Sequence, residues 1–177
     1  MTLDLVRGIS QYSVEMRFSI GNNSPIIDNY GIIDTGCSIT TIPIGIFGSN
    51  DILTNSVIVE LSNKLSSIYK YNVKSMHSAS DNKFNTIPAV LNNVIFIGTN
   101  GEVLKLDKFY TYLSLLPNFK TILLGYDFIT AFSMLVNSDD KGKLVTFNKD
   151  RYYKSPLHST EYIDSNSIFS MLAEIIG

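Results

Sequence analysis

Residues 32–38 read Ile-Ile-Asp-Thr-Gly-Cys-Ser, and their types and order suit acid–base chemistry. The apolar pair predicts the end of a buried strand. That strand delivers the carboxylate of Asp34 into a tight loop, where Gly36 permits backbone geometry that other residues resist. Burying a carboxylate there is costly unless it is hydrogen-bonded or paired. Such groups cluster at functional sites, so Asp34 is the leading candidate for a chemical role, with a structural role as the alternative.

The composition limits the functions that the chain can have. Its 177 residues suit one domain, or a small domain with appendages, and the 45% of hydrophobic residues can form a sizeable core. A net charge of −2 without a basic stripe gives no sign of nucleic-acid binding. We expect no membrane span, because no apolar stretch reaches about 18 residues. The N-terminus is too short and too polar for a signal peptide.

The few potential metal ligands are scattered. The single cysteine, Cys37, excludes an intrachain disulfide and any cysteine-rich metal site. His77 and His158 lie far apart in the sequence and outside any metal-ligand pattern. We therefore expect neither a metal nor a cofactor. Because the chain needs no disulfide, a reducing compartment is compatible with it, and the cytoplasm is the expected location.

Hydrophobic periodicity predicts mostly β-strands. Residues 12–20 alternate between apolar and polar, and after a dense turn signal residues 26–33 return, so a hairpin is predicted over 12–33. Further strands are predicted over 40–47, 69–77, 85–93, 109–116 and 121–124. Two more hairpins are predicted, one over 94–106 with an Asn-Gly turn and one over 134–148. Helical spacing predicts helices over 51–65, 127–132 and 167–176.

A second motif gives the first one its meaning. Asp-Thr-Gly alone recurs by chance in loops, because Asp and Gly are common turn residues. Residues 122–129, however, read Ile-Leu-Leu-Gly-Tyr-Asp-Phe-Ile. With the two motifs in this order, the sequence resembles the retropepsin-like aspartic proteases, the single-domain relatives of pepsin. In that family a hydrophobic-hydrophobic-Asp-Thr-Gly segment precedes a hydrophobic-Leu-Gly-x-Asp-hydrophobic segment. The resemblance covers residues 12–148.

The resemblance implies a fold and an assembly. It implies a mainly β protein, a closed antiparallel β-barrel with one or two short helices. We assign this domain to residues 1–148, followed over 149–177 by a C-terminal tail with a helix. In the family each chain supplies half an active site, and Asp-Thr-Gly occurs once here. The expected assembly is a homodimer in which Asp34 of each chain faces the other across a two-fold axis.

The resemblance also implies a reaction, the hydrolysis of a peptide or protein substrate by an aspartic endopeptidase. Two carboxylates in close contact cannot both ionise cheaply and share one proton, an effect for which the aspartic-protease dyad is itself the usual example. The ionised carboxylate acts as a general base on water, and the protonated one polarises the scissile carbonyl. Neither a metal nor a covalent intermediate is needed.

Other roles are carried over by position. Thr35 resembles the family's hydroxyl that bonds across the dimer, and Gly36 allows the backbones to approach. Gly125 resembles the glycine whose strand crosses behind the catalytic loop. Cys37 stands where many relatives have Ala or Ser, so a thiol in a small buried slot is the expectation and redox control is the alternative. Asp127 is expected to cap its helix.

A flap over the substrate is expected from the hairpin of residues 69–90. Its polar tip lacks the glycine-rich sequence of the retroviral enzymes, and the helix over 51–65 is an insertion relative to the smallest of them. The substrate-binding residues expected at the tip are Ser78, Ala79, Ser80, Asp81 and Asn82.

Two other interpretations remain open from the sequence. One is a non-catalytic peptide-binding or dimerisation module that keeps the retropepsin fold, for which the unusual flap and the long tail leave room. The other is a plain β-rich domain in which Asp-Thr-Gly occurs by chance. The latter also requires the second motif to be a coincidence.

Overall fold

The computed structural model describes residues 2–4, 6–7, 12–19, 26–34, 36–48, 51–69, 74–77, 83–116, 118–131, 135–139, 142–146 and 161–177. The strands within these residues are β1 Thr2–Asp4, β2 Val6–Arg7, β3 Tyr12–Ser19, β4 Ile26–Ile33, β5 Thr41–Pro43, β6 Lys74–His77, β7 Lys83–Ile97, β8 Val103–Ser114, β9 Ile122–Leu124, β10 Leu135–Asp139, β11 Gly142–Thr146 and β12 Ile163–Asp164. The helices are a 3₁₀ turn at Ile44–Phe47, α1 Asn55–Tyr69, α2 Tyr126–Ala131 and α3 Ser165–Ile176.

Six strands close into a barrel. Their order is β3-β4-β9-β5-β8-β7, and β7 pairs with β3 to complete the ring. The predicted closed, mainly β barrel with helices is therefore confirmed. It is a mixed barrel, because β4 pairs with β9 and β5 pairs with β8 in parallel, whereas the other neighbours in the ring are antiparallel. Strand β9 enters between β4 and β5, which are consecutive in the chain.

Alternation in the first hairpin builds one wall of the core. Strands β3 and β4 pair from Tyr12↔Ile33 to Ser19↔Ile26, as the sequence predicts. Every second residue of β3 points inward, and Val14, Met16 and Phe18 are buried. They join a cluster that contains three aromatic rings, whose centroids lie 5.5 to 5.9 Å apart, from Phe96, Phe109 and Phe128. Each such side chain contributes about 1.5–3 kcal/mol when buried.

The middle of the chain forms two long strands, and here the predicted division into shorter pieces over 85–116 is wrong. Strand β7 runs unbroken past residue 93, and β8 runs unbroken past residue 106. Asn93 adopts a φ of 57°, which asparagine tolerates better than most residues, and pairing with β8 resumes at Val94↔Leu106. The hairpin turn itself falls at residues 98–102, where Gly101 has a φ of 83°.

Two helices cover a second core. Helix α1 begins at Asn55 rather than at residue 51, since Thr54 supplies the capping hydroxyl, which accepts a hydrogen bond from the Val57 N–H at 3.4 Å. It continues to Tyr69, so the predicted strand over 69–77 is confined to β6 among the described residues. The buried residues between α1, α3 and the barrel are Ile44, Leu53, Leu61, Leu65, Ile87, Ala89, Leu113, Leu115, Ile163, Ile168 and Leu172.

A small second sheet lies outside the barrel. It consists of β1, β11 and β10 in that order, and both pairings are antiparallel. The final hairpin predicted over 134–148 corresponds to β10 and β11. Among the described residues no helix is long and apolar enough to cross a membrane.

Candidate active site

The end of β4 fixes Asp34 in place. The Asp34 N–H donates to the Leu124 carbonyl of β9 at 3.0 Å, which continues the parallel pairing of β4 and β9 by one residue. The Gly36 N–H donates to Oδ1 of Asp34 at 2.9 Å, and the Cys37 N–H donates to the Asp34 carbonyl at 3.3 Å. The Gly36 N–H thus satisfies one hydrogen-bond acceptor of the half-buried Asp34 carboxylate. Both of the hydrogen bonds within this turn are donated by main-chain N–H groups.

Gly125 lies directly against the loop of Asp34. A Cβ atom at this position would stand 2.6 Å from the carbonyl carbon and oxygen of Ile39 and 2.8 Å from the Cys37 oxygen. These neighbours are backbone atoms, which cannot rotate away as a side chain can. The strand–helix junction therefore passes behind the loop at a distance that only glycine permits.

A buried hydroxyl joins the two motifs. Oγ1 of Thr40 donates to Oδ1 of Asp127 at 2.7 Å and accepts from the Gly125 N–H at 3.0 Å. The same Asp127 oxygen accepts from the Phe128 N–H at 2.7 Å, so this acid does anchor the start of α2. The Thr40 side chain is fully buried. Hydrogen bonds to a carboxylate are stronger than neutral ones, so this pair holds the strand–helix junction and the loop together.

No sequence motif marks Thr40, which falls at the start of the strand predicted over 40–47. The available signal was weak: a hydroxyl six residues after the candidate acid, and an acid two residues after Gly125. Nothing local in the sequence shows that these two side chains meet, because they are 87 residues apart in the chain.

The thiol of Cys37 is part of the same loop. Its Sγ donates to the Ile39 carbonyl at 3.0 Å, and its own carbonyl accepts from the Tyr126 N–H at 2.7 Å. Partial burial raises the pKa of the Cys37 thiol above its ordinary value. The negative charges of Asp34 and Asp127 add to this shift. The neutral thiol is therefore favoured in the folded protein.

Several predicted site residues lie outside the described part of the chain. These are Thr35 in the loop and the five tip residues Ser78, Ala79, Ser80, Asp81 and Asn82. The strands of the predicted flap are described: β6 pairs with β7 from Lys74↔Thr86 to His77↔Lys83. The hairpin that would carry the tip is thus present.

Of the two described acids in the two motifs, Asp34 is the one on the surface side of the loop. Asp34 is half-buried at the surface, next to the exposed residues Gly36 and Ser38, whereas Asp127 lies behind the loop and is engaged by Thr40. Within the described ranges no group of three or more His, Cys, Asp or Glu residues is arranged to hold a metal ion. A pair of carboxylates at Asp34 requires a second acid from outside this set.

The comparisons with known proteins give structural likeness only. No family model matches the chain, and no curated protein matches it. Among solved structures, the chain is similar to a retropepsin-like aspartic protease from Rickettsia conorii, with a TM-score of 0.40, 15% identity, and coverage of 82% of this chain and 88% of that one. It is also similar to the retroviral protease-like domain of Ddi1 from Leishmania major, with a TM-score of 0.34, 9% identity, and coverage of 81% of this chain and 99% of that one.

Proposed function

We propose that this chain is one half of an aspartic endopeptidase of the retropepsin-like kind. In this proposal two copies form a homodimer, and the two Asp34 carboxylates face each other across its axis. The observation that supports it best is the meeting of the two motifs in space. Asp34 is bonded to Leu124, and Gly125 packs against the carbonyls of Cys37 and Ile39. A chance Asp-Thr-Gly in an ordinary loop gives no reason for this contact.

The proposed reaction is the addition of water to a peptide carbonyl. One Asp34 carboxylate removes a proton from the water as its oxygen attacks the carbonyl carbon. The other carboxyl, which is protonated, gives its proton to the carbonyl oxygen. The tetrahedral intermediate then collapses, the C–N bond breaks, and a proton passes from the dyad to the leaving amine. The Gly36 N–H, bonded to Oδ1 of Asp34, orients the carboxylate for these transfers.

The proposed substrate is an extended peptide. It would bind between the loop of Asp34 and the hairpin of β6 and β7, with alternate side chains in pockets on either side, as an added strand does. Closure of the hairpin over the peptide would exclude water from the reaction.

The decisive test is removal of the carboxylate with the shape of the side chain kept. Asp34→Asn should lower peptide cleavage by the purified chain about 100-fold to 10,000-fold, the usual contribution of a positioned acid or base. Asp28→Asn is the matched control, because Asp28 is an exposed acid on β4, the strand that leads to Asp34, and its ion-pair partner among the described residues is Arg17 at 3.3 Å. It should retain activity.

The outcomes separate the interpretations. If Asp34→Asn cleaves as fast as the unchanged chain, the proposed role of Asp34 is wrong. If the unchanged chain binds extended peptides with micromolar affinity and cleaves none of them between acidic and neutral pH, the non-catalytic binding module is the better description. Circular dichroism of all three proteins would establish that each is folded.

A further inference from the structure

The C-terminal segment, residues 161–177, is part of the barrel's packing. Strand β12 pairs in parallel with β7 through Ile163↔Ala89 and Asp164↔Val90. The Asp164 carboxylate then caps α3 by accepting from the Asn166 N–H at 2.8 Å. The apolar face of α3 completes the second core with α1 and the outer side of the barrel. The tail predicted from residue 149 onward therefore ends in an element that is built into the domain.

Strand β12 occupies a definite place on β7. Strand β8 takes one edge of β7 along residues 86–97. On the other edge, β6 pairs with residues 83–86, β12 with residues 89 and 90, and β3 with residues 95–97. The C-terminal strand thus fills the gap between the base of the predicted flap hairpin and the barrel wall.

Tyr162, just before β12, reaches the face of β8 that carries two more tyrosines. Its ring centroid lies 5.0 Å from that of Tyr110 and 6.1 Å from that of Tyr112, both with edge-to-face geometry. Burial raises the pKa of the Tyr162 phenol far above its ordinary value. The charge and hydrogen bond of Tyr112 and the charge of Asp127 act in the same direction. Tyr162 is therefore a hydrogen-bond donor at any physiological pH.

From Tyr112 the contacts continue to the candidate active site. The Tyr112 N–H donates to the Thr40 carbonyl at 3.0 Å, and the Thr111 hydroxyl donates to the same carbonyl at 3.2 Å. The Thr40 hydroxyl in turn holds the Gly125 N–H, directly behind the loop of Asp34. The C-terminal segment is thereby connected to the candidate catalytic loop by an unbroken series of packed and hydrogen-bonded residues.

We propose that Tyr162 is a positioning residue, which holds the loop of Asp34 and the strand–helix junction behind it in register through Tyr112 and Thr40. Its effect on catalysis rests on the proposed function, whereas its effect on the loop does not. In this view the C-terminal helix is the anchor that keeps Tyr162 in place. Residues 161–177 thus contact both β7, next to the base of the predicted flap hairpin, and Tyr112, which is bonded to Thr40 behind the candidate site.

The test compares Tyr162→Phe, which keeps the ring and removes the hydroxyl, with Tyr69→Phe. Tyr69 is the exposed last residue of α1 and lies outside the β6–β7 hairpin to which the structure confines the described flap strands, so it serves as the control. Hydrogen exchange of the amides in residues 34–41 and 122–127 should be about tenfold faster in Tyr162→Phe, the factor expected for the loss of one net hydrogen bond. The kcat for peptide cleavage should fall by about tenfold with KM within about twofold, as expected when orientation is lost and binding is kept. Tyr69→Phe should change neither.

A second variant makes the pathway itself testable. Tyr112→Phe removes the partner hydroxyl, so it should reproduce the faster exchange at residues 34–41, and the double variant should add little to either single change. The proposal is wrong if Tyr162→Phe leaves kcat unchanged and its faster exchange is either confined to residues 161–177 or uniform along the chain. Tyr162 is then a packing residue only. If the unchanged chain cleaves nothing, the proposed function fails, and the exchange pattern still decides whether Tyr162 positions the loop.

Discussion

The close approach of Gly125 to the loop of Asp34 gives the sharpest prediction. In Gly125→Ala the new methyl group would stand 2.6 Å from the Ile39 carbonyl atoms. Carbon atoms in good contact are about 3.5–4.0 Å apart, so the backbones must separate by about 1 Å. Overpacking usually costs about 1–3 kcal/mol, and the upper end applies here because the neighbours are main-chain atoms. We therefore expect a free energy of unfolding lower by about 3 kcal/mol.

The displacement caused by Gly125→Ala should lower the catalytic rate more than it lowers the stability. A reacting group that moves by about 1 Å can lose about 100-fold in rate, so Gly125→Ala should be nearly inactive even at temperatures where it is fully folded. Urea denaturation followed by circular dichroism gives the stability. Peptide cleavage at saturating substrate, measured at a temperature where the variant is fully folded, gives its catalytic rate.

Gly48→Ala is the matched control for this prediction. Its backbone is extended, with a φ of −176°, and an added Cβ would lie 3.3 Å from side-chain atoms of Leu53, which can shift. We expect a change of less than about 1 kcal/mol in stability and unchanged cleavage. Equal stability and equal activity in the two alanine variants would refute the inference that Gly125 holds the loop of Asp34 by close approach.

Three further predictions follow from the same site. If unchanged chains and Asp34→Asn chains are unfolded together and refolded as a half-and-half mixture, cleavage should fall to about a quarter, because only dimers with two acids are active; a fall to about half would mean that each chain acts alone. Thr40→Val removes the hydroxyl bound to Asp127 and should lower the free energy of unfolding in urea by about 1–3 kcal/mol. Thr41→Val, at a residue that is also buried but has no hydroxyl hydrogen bond among the described residues, should lower it less, and equal losses would contradict this. The raised pKa of Cys37 favours the unreactive thiol, so iodoacetamide should modify Cys37 more slowly in the folded chain than in the urea-unfolded chain between about pH 7 and 9. Faster modification of the folded chain would contradict the conclusion that folding favours the neutral thiol.

Hydrophobic periodicity predicts the elements whose buried faces repeat along one segment of the chain. The alternation over residues 12–20 predicts the first hairpin because its period of two is that of a half-buried strand, and the pairing of β3 with β4 confirms it. The end of that hairpin also carries Asp34. The C-terminal helix is predicted from its own period, since its apolar residues recur at helical spacing.

The remaining features depend on contacts between distant parts of the chain. The sequence does not show the full lengths of β7 and β8, because the polar residues Asn92 and Asn93 fall inside β7 and its pairing with β8 carries the strand past them. The pairing of β12 with β7 spans two residues on each strand and leaves no periodic signal. The bond between Thr40 and Asp127 could not be predicted for a similar reason: a buried hydroxyl chooses its partner in three dimensions.

The insertion of β9 between β4 and β5 has a consequence for the order of events during protein synthesis. Strands β4 and β5 leave the ribosome early, but the contacts that support their connecting loop come from Leu124, Gly125 and Asp127. Closing so long a segment is entropically unfavourable and slow compared with forming a hairpin. The loop of Asp34 therefore lacks its support until residues 122–127 have been made and have reached the barrel. If the proposed peptidase function is right, a nascent chain should not cleave peptides before β9 has paired with β4.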